Sequence, residues 1–321
     1  MSNFRPETAS SSKNINGKGV DMGKMMRALT ITALGLVMGL GIMARVPDAC
    51  ASNENLLETI GQTGEVHMGF REGSVPFGFI NENGEWGGFG LDLGGVVVKD
   101  LEKKFNKPIK LIIHPMNPKT RITMVTNGVV SMGIGSTTIT LAREEVVDFS
   151  LPYFLTGTRL LVPKDSDIKG FSDIGGKRVG MGSGSTANIK GLDMAIAQGL
   201  IKPACKKMLF EEHNKGFLAL QQGKIDAYFT DASQLAGMRA KARTPQDWKI
   251  VGKYLTYEPY GFILPEGQGE WRDFVNASLI HMIKDGTFKA LYTKWFGPEG
   301  VVPLPMTAEY KVLLNALSYP E

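Results

Sequence analysis

The sequence predicts an α/β protein of two lobes with a cleft between them, and three observations carry that expectation. Strand-like and helix-like signals alternate along most of the chain, the pattern of sheets covered by helices. Setting aside a leader of 51 residues leaves about 270 of 321, more than one ordinary domain and suited to two lobes. In two successive α/β units the strands end at short hydroxyls and charged residues, and ligand clefts lie outside the carboxyl ends of such strands.

In the first unit, GEVHMGF (64–70) reads as a strand and REGSVPFGFI (71–80) as a Pro-containing turn and loop. NENGEWGG (81–88) is a hairpin-like turn around Asn83-Gly84. Asp92 suits the N-cap of a helix over LGGVVVKDLEKKFN, where Val97, Leu101 and Phe105 repeat at helical spacing. KLIIHPM (110–116) reads as a short buried strand. Arg121 opens a helix, RITMVTNG, that Gly128 closes as a C-cap. VVSMGIGS is the next strand and delivers Ser136 at its carboxyl end.

The second unit begins near TRLLVPKD (158–165). GGKRVGMGSGSTANIKGLDMAIAQG carries a strand, a Gly/Ser loop and a helix. KIDAYFTD (224–231) is a strand, followed by a helix over about 232–242. WKIVGKYLTYEPYGFILPE returns to extended structure. WRDFVNASLIHMIKDGTFKALYTKWF is helical, with Phe274, Leu279, Ile283, Phe288, Leu291 and Trp295 on apolar faces. MTAEYKVLLNAL reads as a last amphipathic helix on the first lobe.

Residues 1–51 have the build of an export leader. Lys24 and Arg27 precede an apolar run of 17 residues, Ala28 to Ala44, and Ala49-Cys50-Ala51 offers a cleavage site before Ser52. An uncleaved anchor is the alternative, but the run is short for a membrane span. Pro47-Asp48-Ala49 is a poor match to a lipoprotein signal at Cys50. The leader also carries most of the formal charge of +4. Removing its six Lys/Arg and three Asp/Glu from totals of 36 and 32 leaves 30 and 29, which argues against a nucleic-acid partner. Cys205 is then the one remaining cysteine, so no internal disulfide forms. His67, His114, His213 and His281 are scattered without ligand spacing, so no metal site is expected.

GSTTITLAREEVVDFSLPY (135–153) carries the most chemistry. Short hydroxyls at Ser136, Thr137 and Thr138 precede Arg143, a set suited to a carboxylate because guanidinium offers two parallel donors. Asp231, at the end of a strand, could meet an ammonium group, and the two anchors together describe an amino-acid site. The plain alternative is a polar loop followed by a surface helix. Arg71 could likewise be a solvated charge, and His213 could sit on a wet face beside Glu211 and Glu212. Arg121 at a helix start opposes the helix dipole, which makes a purely structural role less natural. GSGST (182–186) could cradle an anion but lacks the Lys of a phosphate loop, and no Walker A sequence is present. Ser185 and Thr186 are expected to touch a ligand or close the interface between lobes.

The succession PFGFINENGEWGGFGLDL, NPKTRITMVTNG, GSTTITLAREEVVDFSLPYF, DIGGKRVGMGSGST, GKIDAYFTD and DGTFKALYTKWFG resembles the polar amino-acid-binding proteins of bacterial ABC importers, from about Leu56 to Phe296. FREGSVPF, GTRLLVPKDSDIKGFSDIGGK, LAGMRAKARTPQDWKIVGK and YEPYG resemble the glutamate/aspartate-binding branch. The resemblance implies a type II periplasmic binding protein with a ligand cleft and a two-strand hinge. Its first lobe takes 52–155 and 260–321, its second 156–259. It implies that Arg143, Ser136 and Thr138 hold the α-carboxylate and Asp231 the α-ammonium, while Arg71, Arg121 and His213 face a side-chain carboxylate. It further implies a periplasmic monomer that takes glutamate or aspartate and meets a membrane permease, with no cofactor, metal or nucleic acid. Three positions depart from the branch: Pro118 where a hydroxyl is expected beside Arg121, Ser131 in place of an acidic residue, and TITLARE, which is closer to the general pattern. A binding protein for another polar amino acid such as glutamine, or a cyclohexadienyl-dehydratase-like enzyme using Glu72 or His213 as its acid, are the rival readings.

Overall fold

The computed structural model describes residues 55–81 and 83–319; the expected leader and cleavage site, with Cys50, lie outside these. The described residues form one compact unit. The chain opens with α1 (Leu56–Thr63), capped by the Asn55 side chain, which accepts from the amides of Leu57 and Glu58. This helix was not anticipated from the sequence. Then come β1 (Glu65–Arg71), β2 (Gly73–Ser74), β3 (Gly78–Ile80) and β4 (Trp86–Gly87). The segment expected to be a loop after β1 is therefore a small three-stranded sheet, in which Ile80 pairs with Trp86 across the Asn83-Gly84 turn.

Next are α2 (Phe89–Phe105), β5 (Lys110–Met116), α3 (Arg121–Thr126), β6 (Met132–Ile134), α4 (Leu141–Glu144) and β7 (Asp148–Phe149). Two expectations need correcting here. Asp92 lies inside the first turn of α2, whose N-cap is Gly88; its carboxylate instead accepts from Trp295 Nε1 at 2.6 Å and Lys294 Nζ at 2.7 Å. The β5 strand is the edge of its sheet and only half-buried, because its outer side has no strand partner. Gly128 follows the last turn of α3 at φ 68°, and its amide donates to Val125.

β8 (Phe154–Pro163), β9 (Arg178–Gly182), α5 (Thr186–Ala197), β10 (Lys206–Phe210), α6 (His213–Gln221), β11 (Ala227–Asp231), α7 (Ala232–Ala240) and β12 (Trp248–Val251) follow. The chain ends with β13 (Tyr257–Tyr260), β14 (Ile263–Leu264), α8 (Gly269–Lys284), α9 (Thr287–Phe296) and α10 (Ala308–Ala316). The long C-terminal helical stretch breaks at Gly286, φ 84°, into α8 and α9.

Two larger sheets result, both mixed. One has the order β5-β1-β6-β14-β7; the other runs β10-β9-β11-β8-β12, with β13 also paired to β8. The first draws on residues 65–149 and 263–264 and the second on 154–260, so β8 and the β13–β14 segment carry the chain across and back.

Each sheet has its own core. Beside the first, Phe77, Phe89, Phe154, Tyr260 and Phe296 meet largely edge-to-face, and α10 adds the fully buried Tyr310. Burying each such ring contributes about 1.5–3 kcal/mol. Beside the second, Leu160, Val179, Leu192 and Phe229 pack with Cys205. Burial raises the Cys205 thiol above its usual pKa, which leaves it an apolar filler and not a nucleophile. No helix among the described residues is long and apolar enough to cross a membrane.

Candidate functional site

The carboxyl ends of strands from both sheets converge on one small, nearly closed cavity. Arg71, Arg121, Ser136, Thr138, Arg143, Ser185, His213 and Asp231 line it, joined by Asn188 and Thr230. Eight of the nine residues singled out from the sequence thus meet at one point. Thr186 stands just outside, where its Oγ1 accepts from Arg143 Nη2 at 3.0 Å. Two larger grooves flank the cavity, one beside Val75, Phe217 and Met238 and one beside Pro118, Leu141 and Lys190. Neither is lined by a buried carboxylate.

Each side chain is delivered by its element. Arg71 ends β1, Asp231 ends β11, and Ser136 follows the end of β6. Gly135 lets Arg71 cross close by: a Cβ there would lie 2.7 Å from Arg71 Cγ. Arg121 starts α3, and its Nη1 donates to Ser136 O at 2.9 Å and Thr137 Oγ1 at 3.0 Å. Thr137 thus places a hydroxyl against Arg121, as an acceptor that orients the guanidinium from outside the cavity lining. Pro118 has another use, because it packs against Gly184 so closely that a Cβ at 184 would sit 2.4 Å from its carbonyl carbon. Ser131, the second departure, lies away from the cavity, where its carbonyl accepts from Trp271 Nε1 at 2.8 Å.

Charge in this space is unbalanced. The three guanidinia are 1 %, 4 % and 8 % exposed, which removes most of their hydration. Burial lowers the pKa of all three, and the neighbouring Arg143 and Arg71 add to the depression at Arg121. Arg71 meets Glu212 only at 3.8 Å. Its Nε and Nη2, and Nε of Arg121, have no hydrogen-bond partner in the protein. Buried donors of this kind normally find acceptors.

His213 is buried, which removes the wet-face alternative, and its Nδ1 lies 3.1 Å from Tyr228 Oη. Burial, with Arg71 and Arg121 nearby, pushes its pKa down to about 3, so the ring is neutral. Asp231 goes the other way. Burial and the Glu258 carboxylate raise it to about 7, although Tyr260 Oη donates to its Oδ2 and Asn188 Nδ2 donates to its Oδ1 at 2.9 Å.

Thr138 departs from its expected role. Its hydroxyl donates to Glu258 Oε2 at 2.6 Å, so toward the cavity it offers an acceptor lone pair and not a second donor for a carboxylate. Glu258, only 2 % exposed, also accepts from Thr256 Oγ1 at 2.5 Å. Glu258, Tyr260 and Asn188 were not anticipated. The first two sit in YEPYG, read as extended backbone and as part of the resemblance but with no site role, and Asn188 lies in the first turn of α5, two residues after GSGST.

The cavity can hold a small molecule bearing more negative than positive charge, with an ammonium-type group at Asp231. Residues 66–298 match the family described as bacterial extracellular solute-binding proteins, family 3. The chain is 34 % identical over 275 residues to the glutamate/aspartate import solute-binding protein of Salmonella typhimurium, covering 84 % of this chain and 89 % of that one. It is 33 % identical to an ABC transporter glutamine-binding protein of Bacillus subtilis, over 76 % and 85 % of the two chains. A solved ancestral amino acid-binding protein, a precursor of cyclohexadienyl dehydratase, superimposes with a TM-score of 0.65 at 32 % identity, covering 75 % of this chain and 99 % of its own. The two mixed sheets with a cavity at their facing strand ends are the type II periplasmic binding fold, and the chain belongs to the family 3 bacterial extracellular solute-binding proteins.

Proposed function

We propose that this protein is the substrate-binding component of an amino-acid ABC importer, taking glutamate or aspartate in the cavity and presenting it to a membrane permease from the periplasm. One observation carries the reading: three buried guanidinia share a single small cavity, and three of their N–H-bearing nitrogens lack a protein acceptor. Two ligand carboxylates supply the missing oxygens and charge. Arg143 and Ser136 then face the α-carboxylate with Ser185, and Thr186 backs Arg143. Asp231 and the free lone pair of Thr138 face the ammonium. Arg71, Arg121 and His213 face the second carboxylate, His213 as a neutral imidazole. A glutamine side chain would leave part of this buried positive charge uncompensated, which is costly in a closed site.

The lobes in this reading are 52–155 with 260–321, and 156–259, hinged at β8 and at the return through β13. Arg121 to Gly184 O, Arg143 to Thr186 and Ser74 to Gln234 are contacts made across them on closure. The glutamate/aspartate import role of the Salmonella relative supports the acidic ligand. A dehydratase would need an acid that carries a proton near neutrality and faces the substrate. Glu72 lines only an outer groove and His213 is neutral, which disfavours both for that chemistry, and Asp231, the cavity carboxyl raised to about 7, is held by Tyr260 and Asn188 and serves in this reading as the ammonium anchor.

Titration calorimetry on protein refolded to strip carried-over ligand, against glutamate, aspartate, glutamine and arginine, tests the reading. Tight binding of glutamate or aspartate with glutamine far weaker supports it. Preference for glutamine or arginine would overturn the acidic assignment while leaving the family intact.

A further inference from the structure

The exposed face of the first sheet carries a second cluster of polar groups, away from the amino-acid cavity. β1 and β5 pair in parallel with Glu65 opposite Lys110, His67 opposite Ile112 and Gly69 opposite His114. His67 and His114 are 47 residues apart in sequence, yet they are diagonal neighbours on one face, with only Gly69 on β1 beside His114. Their ring nitrogens, His67 Nδ1 and His114 Nε2, lie 2.9 Å apart. The His67 side chain is 43 % exposed and His114 is half-buried. His67 precedes Arg71 by four residues on β1, about 13 Å along the strand.

We infer that His67 and His114 form a two-nitrogen surface site for a divalent transition metal that accepts a right-angled pair of imidazoles, with Cu²⁺ the best fit. Imidazole–metal bonds of about 2.0–2.1 Å meeting at 90° place two nitrogens about 2.8–3.0 Å apart, whereas a tetrahedral ion such as Zn²⁺ asks for about 3.3–3.4 Å. In the metal-free protein the 2.9 Å separation is that of a hydrogen bond between the two rings. Binding replaces that bond: the shared proton leaves and each ring turns so that its lone pair aims at a common point beside the N–N line, a short movement from a spacing already near the first value, for which the exposure of His67 leaves room. A second feature belongs to metal sites. His67 Nε2, the nitrogen facing away from His114, lies 4.0 Å from Glu65 Oε2, while Lys110 holds the other Glu65 oxygen at 3.2 Å. Metal on Nδ1 leaves Nε2–H to donate to that carboxylate, the outer-shell arrangement that fixes tautomer and ring orientation. Among the described residues no group of three or more His, Cys, Asp or Glu is placed to share a metal. Water therefore completes the shell, and the site is an exchangeable one.

The test is a Cu²⁺ titration of the purified protein without free amino acid, which would itself chelate copper, followed by calorimetry and by the nitrogen couplings in the copper electron paramagnetic resonance spectrum. Wild type should bind one Cu²⁺ that H67A and H114A each weaken at least about 10-fold, with the two-nitrogen signature lost. Glu65→Gln should weaken it about 10-fold or more while keeping both nitrogens. Amino-acid binding and the circular dichroism spectrum should be unchanged in all three, showing that they are folded, while H67A and H114A lose the small stabilisation of the ring–ring hydrogen bond. Equal Cu²⁺ affinity in wild type and the H67A/H114A double variant would overturn the inference, as would tighter binding of Zn²⁺ than of Cu²⁺.

Discussion

Replacing Arg71 by Met should weaken glutamate binding and, at the same time, raise the stability of the ligand-free protein. The side chain is 1 % exposed, Nε and Nη2 have no protein acceptor, and Glu212 stands off at 3.8 Å. Burial is the largest cause of its lowered pKa, so the charged form is disfavoured inside the fold. Removing one partner of a buried ion pair costs about 3–5 kcal/mol, so glutamate affinity should fall by about two to three and a half orders of magnitude at 1.36 kcal/mol per tenfold. Glutamine, with no second carboxylate, should lose less than tenfold. Without ligand, the variant sheds an undercompensated buried charge and loses only a long pair with the partly exposed Glu212, worth about 0–1 kcal/mol. Its unfolding midpoint should therefore rise. Calorimetry with both amino acids, and thermal unfolding of stripped protein, read the two effects separately. Equal losses for glutamate and glutamine would refute the second-carboxylate role of Arg71, and a lower ligand-free midpoint would refute the charge argument.

Asp231 should make binding pH-dependent: in the ligand-free protein its carboxyl titrates near 7, and an ammonium ligand favours the ionised form. Binding then releases a proton below that value, so affinity rises with pH up to about 7 and is flat above it; a profile flat from pH 5 to 8 would contradict this. The same raised pKa means the native state holds its proton more tightly than the unfolded chain. Ligand-free stability should thus fall as pH rises from about 4 to 7, a slope that Asp231→Asn removes when followed by unfolding at several pH values. Gly184→Ala would place a Cβ 2.4 Å from the Pro118 backbone, so it should lower affinity at least tenfold while circular dichroism stays unchanged; unaltered affinity would show that this contact is not needed for closure. Thr138→Val removes the 2.6 Å bond to Glu258 and should weaken every amino-acid ligand by about 1–3 kcal/mol, in calorimetry, whatever its side chain.

The alternation of elements, the strand-end positions of Arg71, Ser136 and Asp231, and the residue types suited to an amino acid were legible in the chain, because period and turn chemistry are local. The sequence also marked Gly128 and the Asn83-Gly84 turn, whose backbones need what those residues allow. Its misses share one cause. Whether Asp92 caps α2 or receives Trp295, whether β5 is central or at an edge, and whether Thr138 donates its proton to a ligand or to Glu258 depend on partners 100 or more residues away or on strand order. The use of Pro118 was equally hidden, since its close packing on Gly184 joins residues 66 positions apart. The electrostatics came from the packed fold, since burial leaves His213 neutral and raises Asp231 to about 7. The fold alone brought His67 and His114 together, because a parallel pairing of strands joins residues that no sequence spacing relates.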